Sequence, residues 1–383
     1  MRAFVCKRCR ELVAFESHRC GGCGIDLGYD PVSGALEALL PAAPGQGQDS
    51  ALALVDDPTT PRWRRCQQAG LSACNWLVPW DAQEGPCLSC RLTSKLPPLK
   101  DREFREAFTK AEMAKRRLVY QLVQLKLPIV SRADEPAAGL SFELDARAGH
   151  AVTGHANGVI TIDLNETDDA FRETTRAQFG EPYRTLLGHF RHEIGHYYWL
   201  ALVLGTSQQA PRAPHRGRTQ HWPSTTWLDE ARSLFGDEGA DYEQARRNHY
   251  DGAAKVDWRN SFVSAYAAMH PLEDWAETFA HYLHIWDAVQ TAASFGVLVV
   301  GPVDDRTGRR DPAKASAPSE ETAALEGFDA VIADWVPLTH ALNALNRSLG
   351  KDDLYPFDLP PAVITKLAFV HRMITSAATA TTA

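Results

Sequence analysis

The stretch Leu187-Gly-His-Phe-Arg-His192-Glu193-Ile-Gly-His196-Tyr-Tyr-Trp199 decides how this chain is read. Its apolar residues recur at helical spacing, and residues 181–204 read as one long helix beginning near Pro182. On a helix, His192 and His196 lie four apart and stack their imidazoles on one face, so both can bind one zinc ion. Glu193 follows the first histidine and is placed to act on water rather than on the metal. That is the residue pattern of metal-assisted hydrolysis. The bare pattern H-E-x-x-H also arises by chance, and the competing reading is an exposed helix with two incidental histidines. The apolar periodicity around it and Gly195 inside it favour the metal. His189 falls on a neighbouring face and reads as an outer or surface group.

Two histidines leave a catalytic zinc under-coordinated, so a third protein ligand is needed. It is sought downstream in Ser264-Ala-Tyr266-Ala-Ala-Met-His270-Pro-Leu-Glu273-Asp-Trp-Ala-Glu277-Thr-Phe-Ala-His281-Tyr. Pro271 suits the first turn of a helix, and acids follow it. Glu273 and Glu277 again lie four apart on one face. One can bind zinc while the other hydrogen-bonds a ligand imidazole. Glu277 with His281 behind it, and Glu238 within Phe235-Gly-Asp237-Glu238, are rivals to Glu273. Without a metal, these acids would be a solvated helix face, with Trp275, Phe279 and Tyr282 in the core.

All eight cysteines fall within the first 90 residues. Cys6-Lys-Arg-Cys9 and Cys20-Gly-Gly-Cys23 form two knuckles, each offering two thiolates from one tight turn, and together they make a zinc-ribbon signal. Cys66, Cys74, Cys87 and Cys90 form a second set in which only Cys87 and Cys90 have knuckle spacing. A count of eight with none left over favours two four-cysteine structural sites. Interleaved ligation between the sets and a redox-active Cys87–Cys90 pair are the alternatives, although no thioredoxin-like pattern surrounds that pair. Closed four-cysteine sites leave no position for substrate, so the module either folds a region short of core or docks a partner. Disulfides are disfavoured because no signal peptide precedes the cysteines, and the expected compartment is the reducing cytoplasm.

Hydrophobic residues make up 44% of the 383 and charged residues 23%, which permits a sizeable core. Residues 1–130 carry 18 Lys and Arg against 14 Asp and Glu, and the remainder 22 against 34. Neither part has the strong basic patch of a dedicated nucleic-acid binder. No apolar run approaches the roughly 18 residues that span a bilayer. Residues 41–50 read as a loop, and Leu96-Pro97-Pro98-Leu99 closes the cysteine module. Residues 101–126 show a helical pattern ended by Pro128. Residues 140–144 and 158–164 read as strands, and 241–249 and 272–292 as helices. One or two helices follow near the end, before a frayed Ala/Thr-rich tail. Residues 207–224, with His215 and His221, read as a surface loop able to act as a lid, and 302–321 as a polar mobile segment. The strand at 159–164 is expected to be a sheet edge where an extended substrate could pair, with His155 and Asn157 just ahead of it. A plain turn built on Gly154 and Gly158 explains that stretch equally well.

With these residues in view, a resemblance emerges. H-E-x-x-H followed by a glutamate on a later helix resembles the gluzincins, the thermolysin-like class. Tyr266…Glu273-x-x-Ala-Glu277 also resembles the anthrax lethal factor type. That resemblance implies Glu273 as third ligand, Glu277 as support for a histidine, and Tyr266 as a phenol stabilising the oxyanion. The whole chain is similar to a bacterial family of zinc-binding metallopeptidases with an N-terminal zinc ribbon. The similar stretches are 6–28, Cys74-Asn-Trp-Leu-Val78, Cys87-Leu-Ser-Cys-Arg-Leu92, Ala114-Lys-Arg-Arg-Leu118, Thr153-Gly-His-Ala-Asn-Gly158, 188–199 and 270–283. Glu273 is preferred over Glu277, and both over Glu238.

The expectation is an α+β, zincin-like metallopeptidase domain at 99–383, mainly helical with a small sheet, behind a zinc-ribbon-type module at 1–98. It would hold one catalytic and two structural zinc ions. Its reaction would be peptide or amide hydrolysis of a peptide or protein substrate, with Glu193 as general base. The alternatives are a non-enzymatic scaffold that recognises a protein partner through its ribbons, and a hydrolase of a non-peptide amide. Intact Glu193 speaks against the scaffold, because a pure binding site needs no base.

Overall fold

A computed structural model describes residues 2–42, 50–146, 153–179, 181–205, 227–251, 257–301 and 327–382. The expectations for His215, His221 and the segments around 207–224 and 302–321 lie outside the described residues. The chain forms two compact units. One holds residues 1–124 and 129–172, the other 125–128 and 173–383.

The first unit begins with an antiparallel pair, β1 (Phe4–Val5) and β2 (Leu12–Val13), joined through the first cysteine knuckle. A five-stranded antiparallel meander follows: β3 (Asp26–Asp30), β4 (Ala35–Pro41), β5 (Leu52–Leu54), β6 (Trp63–Arg65) and β7 (Leu77–Pro79). The meander returns on itself, because Tyr29 of β3 bridges Trp76 beside β7. A short helix α1 (Ala69–Ser72) separates β6 from β7. Then come β8 (Thr93–Lys95), the long helix α2 (Arg102–Gln124), β9 (Ser141–Asp145), β10 (Gly154–Ala156) and β11 (Val159–Asp163).

Helix α2 belongs to this first compact unit. Its Tyr120 ring lies 4.9 Å from Phe15 and 5.7 Å from Tyr29, inside an aromatic cluster with Phe4 and Trp76. Arg117 pairs with Glu16 at 2.5 Å. The core of the cysteine-rich segment thus packs against the helix.

The second sheet has the order β10-β11-β9-β8, with β11 and β8 both parallel to β9. The strand at 159–164 is therefore interior. The expectation that it forms an edge is corrected: a hairpin places β10 on its outer side. That hairpin turns on Asn157 and Gly158, both at positive φ (49° and 84°), the geometry Asn-Gly favours in two-residue hairpins. His155 accepts from the Gly158 N–H at 3.0 Å, so this residue shapes the turn.

In the second unit, α3 (Asp169–Phe179) leads in from the first and buries no residue. Helix α4 (Leu186–Tyr198) follows and passes directly into a π-helical turn at Trp199–Val203. It starts at 186 rather than near Pro182 because Thr185 is extended and caps it, its side chain accepting from the Gly188 N–H. Among the described residues there follow α5 (Trp227–Phe235), α6 (Tyr242–Tyr250), α7 (Pro271–Ser294), α8 (Phe328–Ser348) and α9 (Pro361–Thr382). Phe190, Ile194, Tyr198, Trp275, Phe279, Leu283, Leu367 and Val370 form its core, each 0% exposed. Among the described residues, no helix is long and apolar enough to cross a membrane.

Candidate active site and metal centres

Among the described residues, three clusters bring together side chains able to hold a metal ion, each with its ligand atoms within 4.8 Å of one another. The first is Cys6, Cys9, Cys20 and Cys23. Its Cys6–Cys23 and Cys9–Cys20 sulfurs lie 3.8 and 3.5 Å apart. The second is Cys66, Cys74, Cys87 and Cys90, with Cys74–Cys87 sulfurs at 3.6 Å. Four sulfurs around zinc at about 2.3 Å stand about 3.8 Å apart, so both clusters fit a tetrahedral ion and neither forms disulfides. The sets do not interleave.

The irregular gap from Cys66 to Cys74 has a structural cause. Helix α1 fills it and ends at Ala73, which is left-handed at φ 48°. Backbone N–H groups of Gln68 and Cys87 donate to the Cys66 sulfur at 3.4 and 3.2 Å, which suits a thiolate. The second cluster is also charge-matched. Lys115 and Arg116 of α2 are fully buried beside it with Glu112. Lys115 donates to Glu112 at 2.6 Å, and Arg116 donates to the carbonyls of Ser72 and Ala73 at 2.9 and 3.2 Å. Four thiolates around a divalent ion leave a net double negative charge. Two buried cations offset it, and Glu112 takes back part of that offset.

The third cluster is His192, His196 and Glu273. The two histidines sit one turn apart on α4, and Glu273 sits in the first turn of α7. The two Nε2 atoms are 3.2 Å apart. Glu273 Oε2 lies 3.0 Å from His192 Nε2, and its Oε1 lies 3.5 Å from His196 Nε2. Ligands at 2.0–2.1 Å around a tetrahedral zinc stand about 3.3 Å apart, so the donor set fits.

Glu277 is not in the cluster. Its Oε1 accepts from His192 Nδ1 at 2.8 Å, and its Oε2 accepts from the Ser264 hydroxyl at 2.7 Å. A carboxylate on Nδ1 fixes the tautomer and turns Nε2 toward a metal. Glu238 is engaged elsewhere, accepting from Arg232 at 2.6 and 2.9 Å. His281 is buried against Tyr355, whose hydroxyl is 2.7 Å away, and burial lowers its pKa to about 4.

Burial opposes charge on both Glu273 and His192, but their mutual hydrogen bonds outweigh it. Glu273 is held well below the usual carboxylate range, and His192 well above the usual imidazole range with help from Glu277. A metal at His192 Nε2 has to displace that proton, so metal uptake releases protons and weakens as pH falls. Glu193 is 6% exposed, and its Oε2 has no hydrogen-bond partner among the described residues. The Tyr266 ring lies 5.9 Å from His192, and burial keeps its phenol protonated.

Two residues here escaped the sequence reading. Ser264 orients Glu277, and Tyr242 donates to Glu273 Oε1 at 2.9 Å. Tyr242 reaches Glu273 from 31 positions away, and Ser264, in the same stretch as Glu277, reaches it from 13 positions away through a turn that no spacing rule marks.

Gly195 brings the two site helices together. A Cβ there would lie 3.0 Å from Ala276 Cα and 3.2 Å from Phe279 Cβ of α7. The Trp275 indole donates to the Gly195 carbonyl at 2.8 Å across the same contact. Gly195→Ala is therefore expected to part α4 from α7, costing roughly 1–3 kcal/mol by overpacking. It should also weaken zinc binding, since His192 and His196 retreat from Glu273. Thermal denaturation together with a zinc titration checks this, and an unchanged zinc affinity would refute it.

Fold and site together describe a zinc-binding protein of mixed helix and sheet, with a cysteine-rich zinc-ribbon region ahead of a metallopeptidase-type domain. The chain belongs to the family described as "Putative zinc-binding metallo-peptidase", whose model matches residues 104–373. A zinc-ribbon domain matches residues 3–101. Uncharacterized proteins of Mycobacterium bovis and of two strains of Mycobacterium tuberculosis are each 43% identical to it over 375 residues. The alignment covers 98% of this chain and 95% of each relative. No solved structure matches.

Proposed function

We propose that this protein is a gluzincin-like, zinc-dependent metallopeptidase that hydrolyses peptide bonds, with one catalytic and two structural zinc ions. The observation that carries the reading is the convergence of His192, His196 and Glu273 beside the buried, unpaired carboxylate oxygen of Glu193. His192, His196 and Glu273 would hold the catalytic ion, and the eight cysteines the other two. When bound, the ion supplies a Lewis acid and makes water more acidic.

The chain's own residues do the rest. Glu193 takes a proton from the attacking water and returns it to the leaving amine, as a general base and then acid. Tyr266 donates its phenol hydrogen to the oxygen on which negative charge develops. Glu277, steadied by Ser264, holds His192 in one tautomer. Eight zinc-bound thiolates suit the cytoplasm, where cysteines stay reduced. Turnover of a mixed peptide library by zinc-loaded protein, compared with the Glu193→Gln variant, tests the reading. A protein partner docking on the ribbons would be the remaining role if no peptide is cleaved.

A further inference from the structure

We propose that Tyr242 is a positioning residue of the catalytic zinc centre: it fixes which oxygen of Glu273 faces the metal. The inference deepens the peptidase reading and rests on its assignment of Glu273 as a ligand. The Tyr242 hydroxyl donates to Glu273 Oε1 at 2.9 Å, while Oε2 points at His192 Nε2, 3.0 Å away. A carboxylate with both oxygens free can swing between one-oxygen and two-oxygen binding. A phenol on Oε1 removes that freedom and leaves Oε2 for the ion.

Tyr242 is itself held with little freedom. It is the first residue of α6, whose cap, Asp241, accepts from the Gln244 N–H at 2.9 Å. Its ring meets His270 edge-on at 5.1 Å. His270 caps α7 by accepting from the Leu272 N–H at Nδ1, so its Nε2 carries the hydrogen and donates to Ala240 O at 3.0 Å. One histidine, a turn ahead of Glu273, therefore pins the segment entering α6 to the start of the ligand helix.

The test is a competitive-chelator titration of the third zinc ion in wild type, Tyr242→Phe and Tyr266→Phe, with circular dichroism as the check on folding. Tyr242→Phe keeps the ring on His270 and loses only the hydroxyl. It should weaken zinc binding about 10–100-fold, the usual effect of removing such a support, with melting little changed. Tyr266→Phe should leave zinc affinity within a few-fold. Cobalt(II) in the same site gives a second readout, because its visible absorption weakens when both carboxylate oxygens bind. Unchanged zinc affinity and an unchanged cobalt spectrum in Tyr242→Phe would overturn the proposal, as would a loss of stability without loss of affinity. The titration needs no substrate. Wild type that binds the third zinc but cleaves no peptide would sink the peptidase reading and leave the Tyr242 assignment standing.

Discussion

Glu193→Gln is expected to keep all of its zinc and to lose peptide hydrolysis by about 10²–10⁴-fold, the usual contribution of a positioned general base. The substitution removes only the ability to take a proton. The side chain keeps its shape in a pocket where Glu193 is 6% exposed and touches no metal-site donor by hydrogen bond at Oε2. The proposed ligand set of His192, His196 and Glu273 is untouched, so zinc content and melting should match wild type. Steady-state kinetics should show the loss in kcat, with KM little moved, because the proton transfer belongs to the transition state. Equal turnover in the two proteins would show that Glu193 is not the base.

A second large effect is expected at the inner cysteine cluster. Cys74→Ser should unfold much of the first compact unit, whereas Cys9→Ser should be milder. Cys74 is 0% exposed and Cys66, Cys87 and Cys90 are buried with it, while Cys9 is exposed. Structural zinc contributes about 10–16 kcal/mol in small zinc-binding peptides, comparable to the whole stability of a typical domain, about 5–15 kcal/mol. Losing the ion would also strand Lys115 and Arg116, buried beside thiolates that no longer gather there. Phe15, Tyr29, Trp76 and Tyr120 pack within the same unit, so near-ultraviolet circular dichroism reports on it directly. A full aromatic signal in Cys74→Ser would mean that the unit's core stands without its second ion.

The candidate metal-binding residues were legible because metal chemistry constrains spacing. Two histidines a helical turn apart, and knuckles of two cysteines, can be read without a partner in view. Helix α2 was legible from its apolar repeat, and α7 from the proline and acids that open it. What escaped depends on pairing across distance. Helix α3 buries nothing, so no core position marks it. The strand at Val159–Asp163 showed its existence but not its neighbours, because β10 folds onto it through a two-residue turn. Tyr242 reaches Glu273 across 31 positions, and Arg116 reaches Ser72 across 44, spans over which sequence spacing carries no signal. Gly195 was visible as a glycine, but its cause, the backbone of Ala276 passing 3.0 Å from where a Cβ would stand, lies on another helix.

The central claim is three zinc centres, of which one is completed by Glu273. Zinc per chain, counted by elemental mass spectrometry in wild type, His192→Ala, Glu273→Ala and Glu277→Ala, tests it most directly. The account predicts three ions in wild type, two in the His192 and Glu273 variants, and three, more weakly held, in the Glu277 variant. Two ions in wild type, unchanged by the His192 and Glu273 substitutions, would contradict it and leave a cysteine-bound zinc module on a scaffold without a catalytic metal.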